Sequence, residues 1–118
     1  MSATDVQANL EEQSGSSSSQ PLSQARVAAD TELMATLGNE TRYEILRRIT
    51  QAEDHLCVCE IEAALGVSQG AVSQALARLT RAGLVEREKH GRWRYYWASE
   101  RANRLLAALD ELRELGAA

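Results

Sequence analysis

The order helix, short helix, tight turn, helix and basic hairpin predicts a mainly α chain with a small β-hairpin, a winged helix-turn-helix that works as a dimer. In ALGVSQGAV a short glycine-containing link joins two helical patterns, as in a turn that brings two helices together at a steep angle. In LVEREKHGRWRYYW the period changes to alternation, with Val, Tyr and Trp around His90-Gly91. The one basic block of the chain, residues 68–97, begins within the first of these pieces and ends with the second.

Taken in order, residues 1–21 end in the serine-rich, apolar-poor SGSSSSQP and are expected to form a disordered tail, leaving 22–118 as the DNA-binding and dimerisation domain. PLSQARVAADTELMATLGN holds helix formers throughout and stops at Gly38-Asn39. Asn39 is placed to cap the next helix, ETRYEILRRITQAED, where Ile45, Leu46 and Ile49 form an apolar face. In LCVCEIEAALG, Val58, Ile61 and Leu65 follow a helical i, i+3, i+7 pattern, and Gly66 supplies the stop. Ser68 is a good N-cap for SQGAVSQALARLTRAG, whose Val72, Ala75, Leu76 and Leu79 mark a strongly amphipathic helix that ends at Gly83. Two strands with a tight turn at His90-Gly91 follow. The last helix, SERANRLLAALDELREL, repeats leucine at 105, 109 and 112, with Leu106 and Leu115 extending the face; a dimer seam or packing on its own domain uses such a stripe.

Length and charge exclude several classes. A chain of 118 residues has room for one small domain with a modest core. No run approaches the ~18 apolar residues of a membrane span, and the N-terminus lacks a signal-peptide layout, so a cytoplasmic protein with no membrane partner is expected. The net charge of −4 hides a split: residues 1–32, 33–67 and 98–118 carry −4, −3 and −1, while 68–97 carries +4. Its cations are Arg78, Arg81, Arg87, Lys89, Arg92 and Arg94, set against Glu86 and Glu88. A local basic block suits a phosphate-binding surface, although a solvated mixed face uses the same residues.

The two cysteines, Cys57 and Cys59, lie one residue apart in LCVCE. That spacing makes a poor structural staple, and a reducing compartment favours thiol chemistry or metal binding. On a helix spanning 57–65, the buried face of Val58, Ile61 and Leu65 has Cys57 at its edge and leaves Cys59 outside, with the two thiols about 200° apart. In an extended segment the same pair points to one side and can share an atom. A soft ion that binds thiolates would therefore favour an unwound first turn, at the start of the helix supporting the recognition helix.

LGNETRYEIL, LCVCEIEAALGVSQGAVSQALARLTRAGLV and GRWRYYW together resemble the ArsR/SmtB family of metal-responsive repressors, over roughly residues 33–115. LCVCE is similar to the arsenic- and cadmium-sensing branches. The resemblance implies a homodimeric transcriptional repressor that leaves its operator when a toxic metal or metalloid binds Cys57 and Cys59. Relatives of the arsenic type often carry a third cysteine where this chain has Glu62, and the cadmium type adds cysteines from an N-terminal segment that has none here. Both departures weaken a four-ligand site more than a two-thiol one, so As(III) or Sb(III) is the expected inducer. His55 is the residue that would complete a cadmium or zinc set, and the last helix lacks the histidine of the family's other zinc site. The alternatives are a thiol-based redox or persulfide sensor, or a cadmium-, lead- or zinc-responsive repressor. No enzyme and no organic cofactor are expected, because no Ser/His/Asp or carboxylate pair is placed for catalysis.

With its core face assigned, the fourth helix leaves Ser68, Gln69, Gly70, Ser73 and Gln74 on its N-terminal half to enter the major groove of double-stranded operator DNA. Gln69 and Gln74 carry the amide pattern that reads adenine; Ser68 and Ser73 reach bases or phosphates; Gly70 admits close backbone approach. Arg78 is a phosphate contact or a solvated charge. Lys89, Arg92 and Arg94 surround the hairpin tip, as a wing on the DNA backbone would. The Trp93, Tyr95, Tyr96 and Trp97 set reads as sheet packing. One small head covers a half-site, so two heads on a two-fold axis are expected, joined through the last helix and the helix before Gly38.

Overall fold

The computed structural model describes residues 21–52 and 55–116. Apart from Pro21, the tail expected over 1–21 lies outside the described residues. By contacts the chain falls into two units, Met1–Thr31 and Glu32–Ala118. In the first, residues 21–31 are exposed and enter helix α1 (Gln24–Leu37), where Ser23 Oγ accepts a hydrogen bond from the Arg26 N–H at 3.0 Å.

The second unit holds the rest. Helix α2 (Glu40–Gln51) starts where Asn39 Oδ1 accepts from the Arg42 N–H at 2.9 Å, satisfying one donor of the first turn. The Arg42 side chain reaches back and donates to the carbonyls of Thr36 (2.7 Å) and Ala35 (3.2 Å), a cationic cap on the end of α1. Strand β1 (Leu56–Cys57) leads directly into α3 (Val58–Leu65). Gly66, at φ 71°, closes α3 in the left-handed region, and Ser68 Oγ opens α4 (Gln69–Arg81) by accepting from the Ala71 N–H at 3.1 Å. Strands β2 (Val85–His90) and β3 (Trp93–Ala98) form the hairpin, and α5 (Glu100–Gly116) completes the chain. The sheet order is β1-β3-β2, antiparallel throughout.

Ile45, Leu46 and Ile49 of α2, Ile61 of α3 and Val72, Ala75, Leu76 and Leu79 of α4 form the core with Leu84, Val85, Tyr96, Ala102 and Leu106. All four residues assigned to the inner face of α4 are buried there. Ser99 ties the turn between α4 and β2 to α5: its hydroxyl donates to the Gly83 carbonyl (2.7 Å) and accepts from the Ala102 N–H (3.1 Å). Arg47 ties α2 to α5 through both Asp110 oxygens at 2.7 and 3.3 Å, with Tyr43 Oη accepting from Arg47 Nε at 2.6 Å. These bonds hold the Asp110 carboxyl below its ordinary pKa, Arg47 first and Arg113 second, and raise that of Arg47.

Three details differ from expectation. The helix over 57–65 begins one residue later, because Cys57 is extended and pairs with Tyr95 in β1. The hairpin turn lies at Gly91-Arg92, since His90 pairs with Trp93; Gly91 takes the φ of 64° that the turn requires. Trp93 is 52 % exposed at the tip, whereas Tyr96 is buried in the core and Tyr95 and Trp97 are half-buried.

Candidate thiol site and nucleic-acid interface

Cys57 has φ −90° and ψ 164°, and its N–H donates to Glu60 Oε1 at 2.8 Å. The chain changes from strand to helix directly after it, so Cys59 already lies in the first turn of α3. That change of geometry replaces the helical separation of the two side chains. Their Sγ atoms are in contact and pair as a disulfide, with Cα atoms 5.5 Å apart. Cys57 is half-buried and Cys59 exposed, as the helical pattern implied. With both sulfurs reduced, the same juxtaposition offers two thiolates to one soft ion with no further unwinding.

No group of three or more His, Cys, Asp or Glu side chains suited to a metal ion occurs among the described residues. His55 stacks on Trp97, ring centroids 4.4 Å apart and planes 21° from parallel. Glu60 is engaged by the Cys57 N–H.

A cleft of about 470 Å³ opens beside the sulfurs, lined by Cys57, Cys59, Gln69, Ser73, Lys89, Arg92 and Arg94, with Val58, Trp93 and Tyr96 as its apolar wall. The thiol pair, the start of α4 and the wing thus share one concavity. Gln74 and Arg78 fall elsewhere, in a second groove of about 450 Å³ shared with Asn39, Thr41 and Arg81. Arg78 is engaged there by Glu32, Nη2 to Oε2 at 3.3 Å. The Ser68 hydroxyl is committed to its N-cap. Gly70 is exposed, and a Cβ there would meet only Ser68 Oγ, at 4.0 Å, so no packing demand accounts for this glycine.

The hairpin register separates the charges. Directly opposite residues of an antiparallel ladder share a face, and faces alternate along each strand. Arg87 and Lys89 therefore share one face with Tyr96 and Arg94, while Glu86, Glu88 and His90 share the other with Trp97, Tyr95 and Trp93. On the second face His90 Nε2 lies 3.2 Å from Glu88 Oε1, and its ring meets Tyr95 edge-on. By register the acids of β2 alternate with its cations, and Glu88 still lines a small groove with Arg87, Lys89 and Arg94. Arg92, at the turn, lies with its guanidinium carbon 6.0 Å from the centroid of the Trp93 ring.

The exposed Trp93 was missed as a surface residue, because an aromatic in an alternating strand looks like packing. Thr41 lines the second groove with Gln74 and Arg78, a place that depends on how α2 packs.

An apolar trough of about 630 Å³ runs between α1 and α5, lined by Leu33, Met34, Leu37, Tyr43, Leu105, Leu109 and Leu112 with Gly38 and Arg113. Leu112 and Leu115 extend from it, 61 % and 80 % exposed.

The family model described as bacterial regulatory protein, arsR family, matches residues 39–87, from the N-cap of α2 into β2. A Halobacterium salinarum relative named as arsenical resistance operon repressor ArsR2 is 56 % identical over 87 residues, which are 74 % of this chain and 73 % of that one. A second protein of that organism, named as arsenical resistance operon repressor ArsR, is 47 % identical over 85 residues, 72 % and 66 % of the two chains. Among solved structures, the homodimeric winged helix-turn-helix DNA-binding domain of Mb0332 from Mycobacterium bovis superposes with a TM-score of 0.70 at 26 % identity, covering 82 % of this chain and 92 % of its own. The fold, the shared cleft and relatives matched across about three-quarters of the chain agree: this protein belongs to the ArsR family of transcriptional regulators.

Proposed function

We propose that this ArsR-family repressor binds operator DNA as a homodimer and is released when arsenite or antimonite binds the thiolates of Cys57 and Cys59. The observation that carries the reading is the contact of the two sulfurs at the junction of β1 and α3. β1 pairs with the wing strand β3, and α3 packs on the recognition helix α4. An ion drawing on both sulfurs therefore acts on the two DNA-reading elements together. Because Cys57 is already extended, the coupling comes from displacing these elements rather than from unwinding a turn. A coupling of about 1–3 kcal/mol, typical of allosteric systems, suffices for a 5- to 150-fold loss of affinity.

In this reading Gln69, Gly70, Ser73 and Gln74 face the major groove, Lys89, Arg92 and Arg94 hold the backbone, and Ser68 serves through its cap. The trough between α1 and α5 is the dimer seam; the homodimeric Mycobacterium bovis domain of the same fold supports that assignment. No described helix is long and apolar enough to cross a membrane.

Fluorescence anisotropy on the upstream DNA tests the proposal. Arsenite is expected to release the wild type and to leave Cys57→Ser/Cys59→Ser bound. Release by cadmium or zinc alone would shift the reading to His55 or Glu62 as a further ligand. The sulfur pairing also favours a second reading, release by hydroperoxide through a Cys57–Cys59 disulfide. Release by peroxide and not by arsenite would establish it instead.

A further inference from the structure

Trivalent arsenic takes three ligands in a trigonal pyramid, and this chain has two cysteines. Two thiolates from one protomer leave the third position to a group the described residues do not supply. That position opens on the cleft between the start of α4 and the wing, whose volume of about 470 Å³ suits a small organic substituent.

The walls of the cleft specify its chemistry. Lys89, Arg92 and Arg94 line it, and none of the three forms an ion pair with a carboxylate among the described residues. Neither Glu86 nor Glu88, the nearest acids along the hairpin, lines the cleft. Trp93 and Tyr96 add aromatic surface beside these cations. A hydroxide in the third position would use neither the aromatic wall nor the cations. A compact aromatic body bearing an acid group uses both, the ring packing on the aromatic wall and the acid group accepting charge-assisted hydrogen bonds from the cations.

We propose that the cleft is a binding site for the third substituent of the arsenical, and that it selects trivalent organoarsenicals whose substituent is anionic. The inference rests on the thiolate reading and deepens it by naming the ligand class. Binding is a simple exchange: two As–S bonds form, two As–OH bonds break, and the two thiol protons leave with the hydroxides as water. Arsenic stays trivalent, so no oxidant or reductant enters.

Calorimetric titration of the reduced full chain, without DNA, tests it with two probes, phenylarsonous acid and its 4-carboxy derivative. The carboxylated probe is expected to bind about tenfold tighter, a preference that falls to within about twofold in Lys89→Gln/Arg94→Gln and shrinks as salt screens the cations. Equal wild-type affinities, both lost in Cys57→Ser/Cys59→Ser, overturn the anion site while leaving the thiolate reading intact. Failure of both probes to bind the wild type overturns the two together. The wild-type ratio decides the matter without any variant having to fold.

Discussion

The cations on the proposed DNA-facing surface are not equivalent, and the salt dependence of DNA binding reports the difference. Each phosphate neutralised by a lysine or arginine adds about 0.9 to the slope of log affinity against log salt, so one position repeated in two heads adds about 1.8. Lys89 and Arg94 lie opposite each other on the basic face of the wing with no carboxylate partner among the described residues. Arg78 is held by Glu32 at 3.3 Å and is only partly exposed. To take a phosphate it must leave that partner, and removing it strips Glu32 of its counter-charge beside the groove. Arg94→Gln is therefore expected to lower the slope by about 1.8 and Arg78→Gln by less than about half of that, on the same counterion arithmetic. The assay is anisotropy of a labelled operator duplex between about 50 and 200 mM salt, the range over which such slopes are well expressed. An unchanged slope for Arg94→Gln, or an equal loss for Arg78→Gln, would refute the assignment of the wing as the principal backbone contact.

Three further outcomes follow from the packing and charge. Ile61 is 1 % exposed and anchors α3, so Ile61→Ala is expected to cost about 2–5 kcal/mol in urea unfolding, as large-to-small core changes do. At Gly66, where φ is 71° and a Cβ would meet nothing within 4 Å, alanine pays only for the left-handed backbone, roughly 1–2 kcal/mol by the same assay. Asp110 has a folded pKa below its ordinary value, so its stabilisation is present above the unfolded carboxylate pKa and is lost as pH falls through the folded one, while Arg47 stays charged. Asp110→Asn is thus expected to be less stable than wild type near neutrality and to converge with it in acid, measured by thermal melts across pH.

Local chemistry made most of the fold legible. Asn39 and Ser68 cap the helices they precede, Gly66 ends α3, and the inner face of α4 consists of the residues its period marks out. Each of these signals acts within a few residues of its position. What escaped depends on distant partners. β1 is two residues long, too short for an alternation signal, and exists because β3 offers Tyr95 and Tyr96 for pairing. A helical wheel drawn from Cys57 therefore started one residue early and set the sulfurs apart. The residues assigned to DNA lie on α4 and the hairpin, but their division between two grooves depends on the packing of α2, and the engagement of Arg78 on a glutamate in α1.

The two-faced hairpin also governs how a duplex arrives. Beyond a Debye length, about 10 Å at 0.1 M salt, the charges of the chain are largely screened, and its net charge of −4 neither draws nor steers a duplex. Inside that distance the encounter becomes sensitive to orientation: Arg87, Lys89 and Arg94 attract on one side of the ribbon, while Glu86 and Glu88 repel on the other. On the proposed function, contacts made on the basic side are favoured over those on the acidic side, and α4 meets the groove from the favoured pose. The hairpin thereby narrows the rotational search before any base is touched, making association selective for pose in a protein whose overall charge does not draw the duplex.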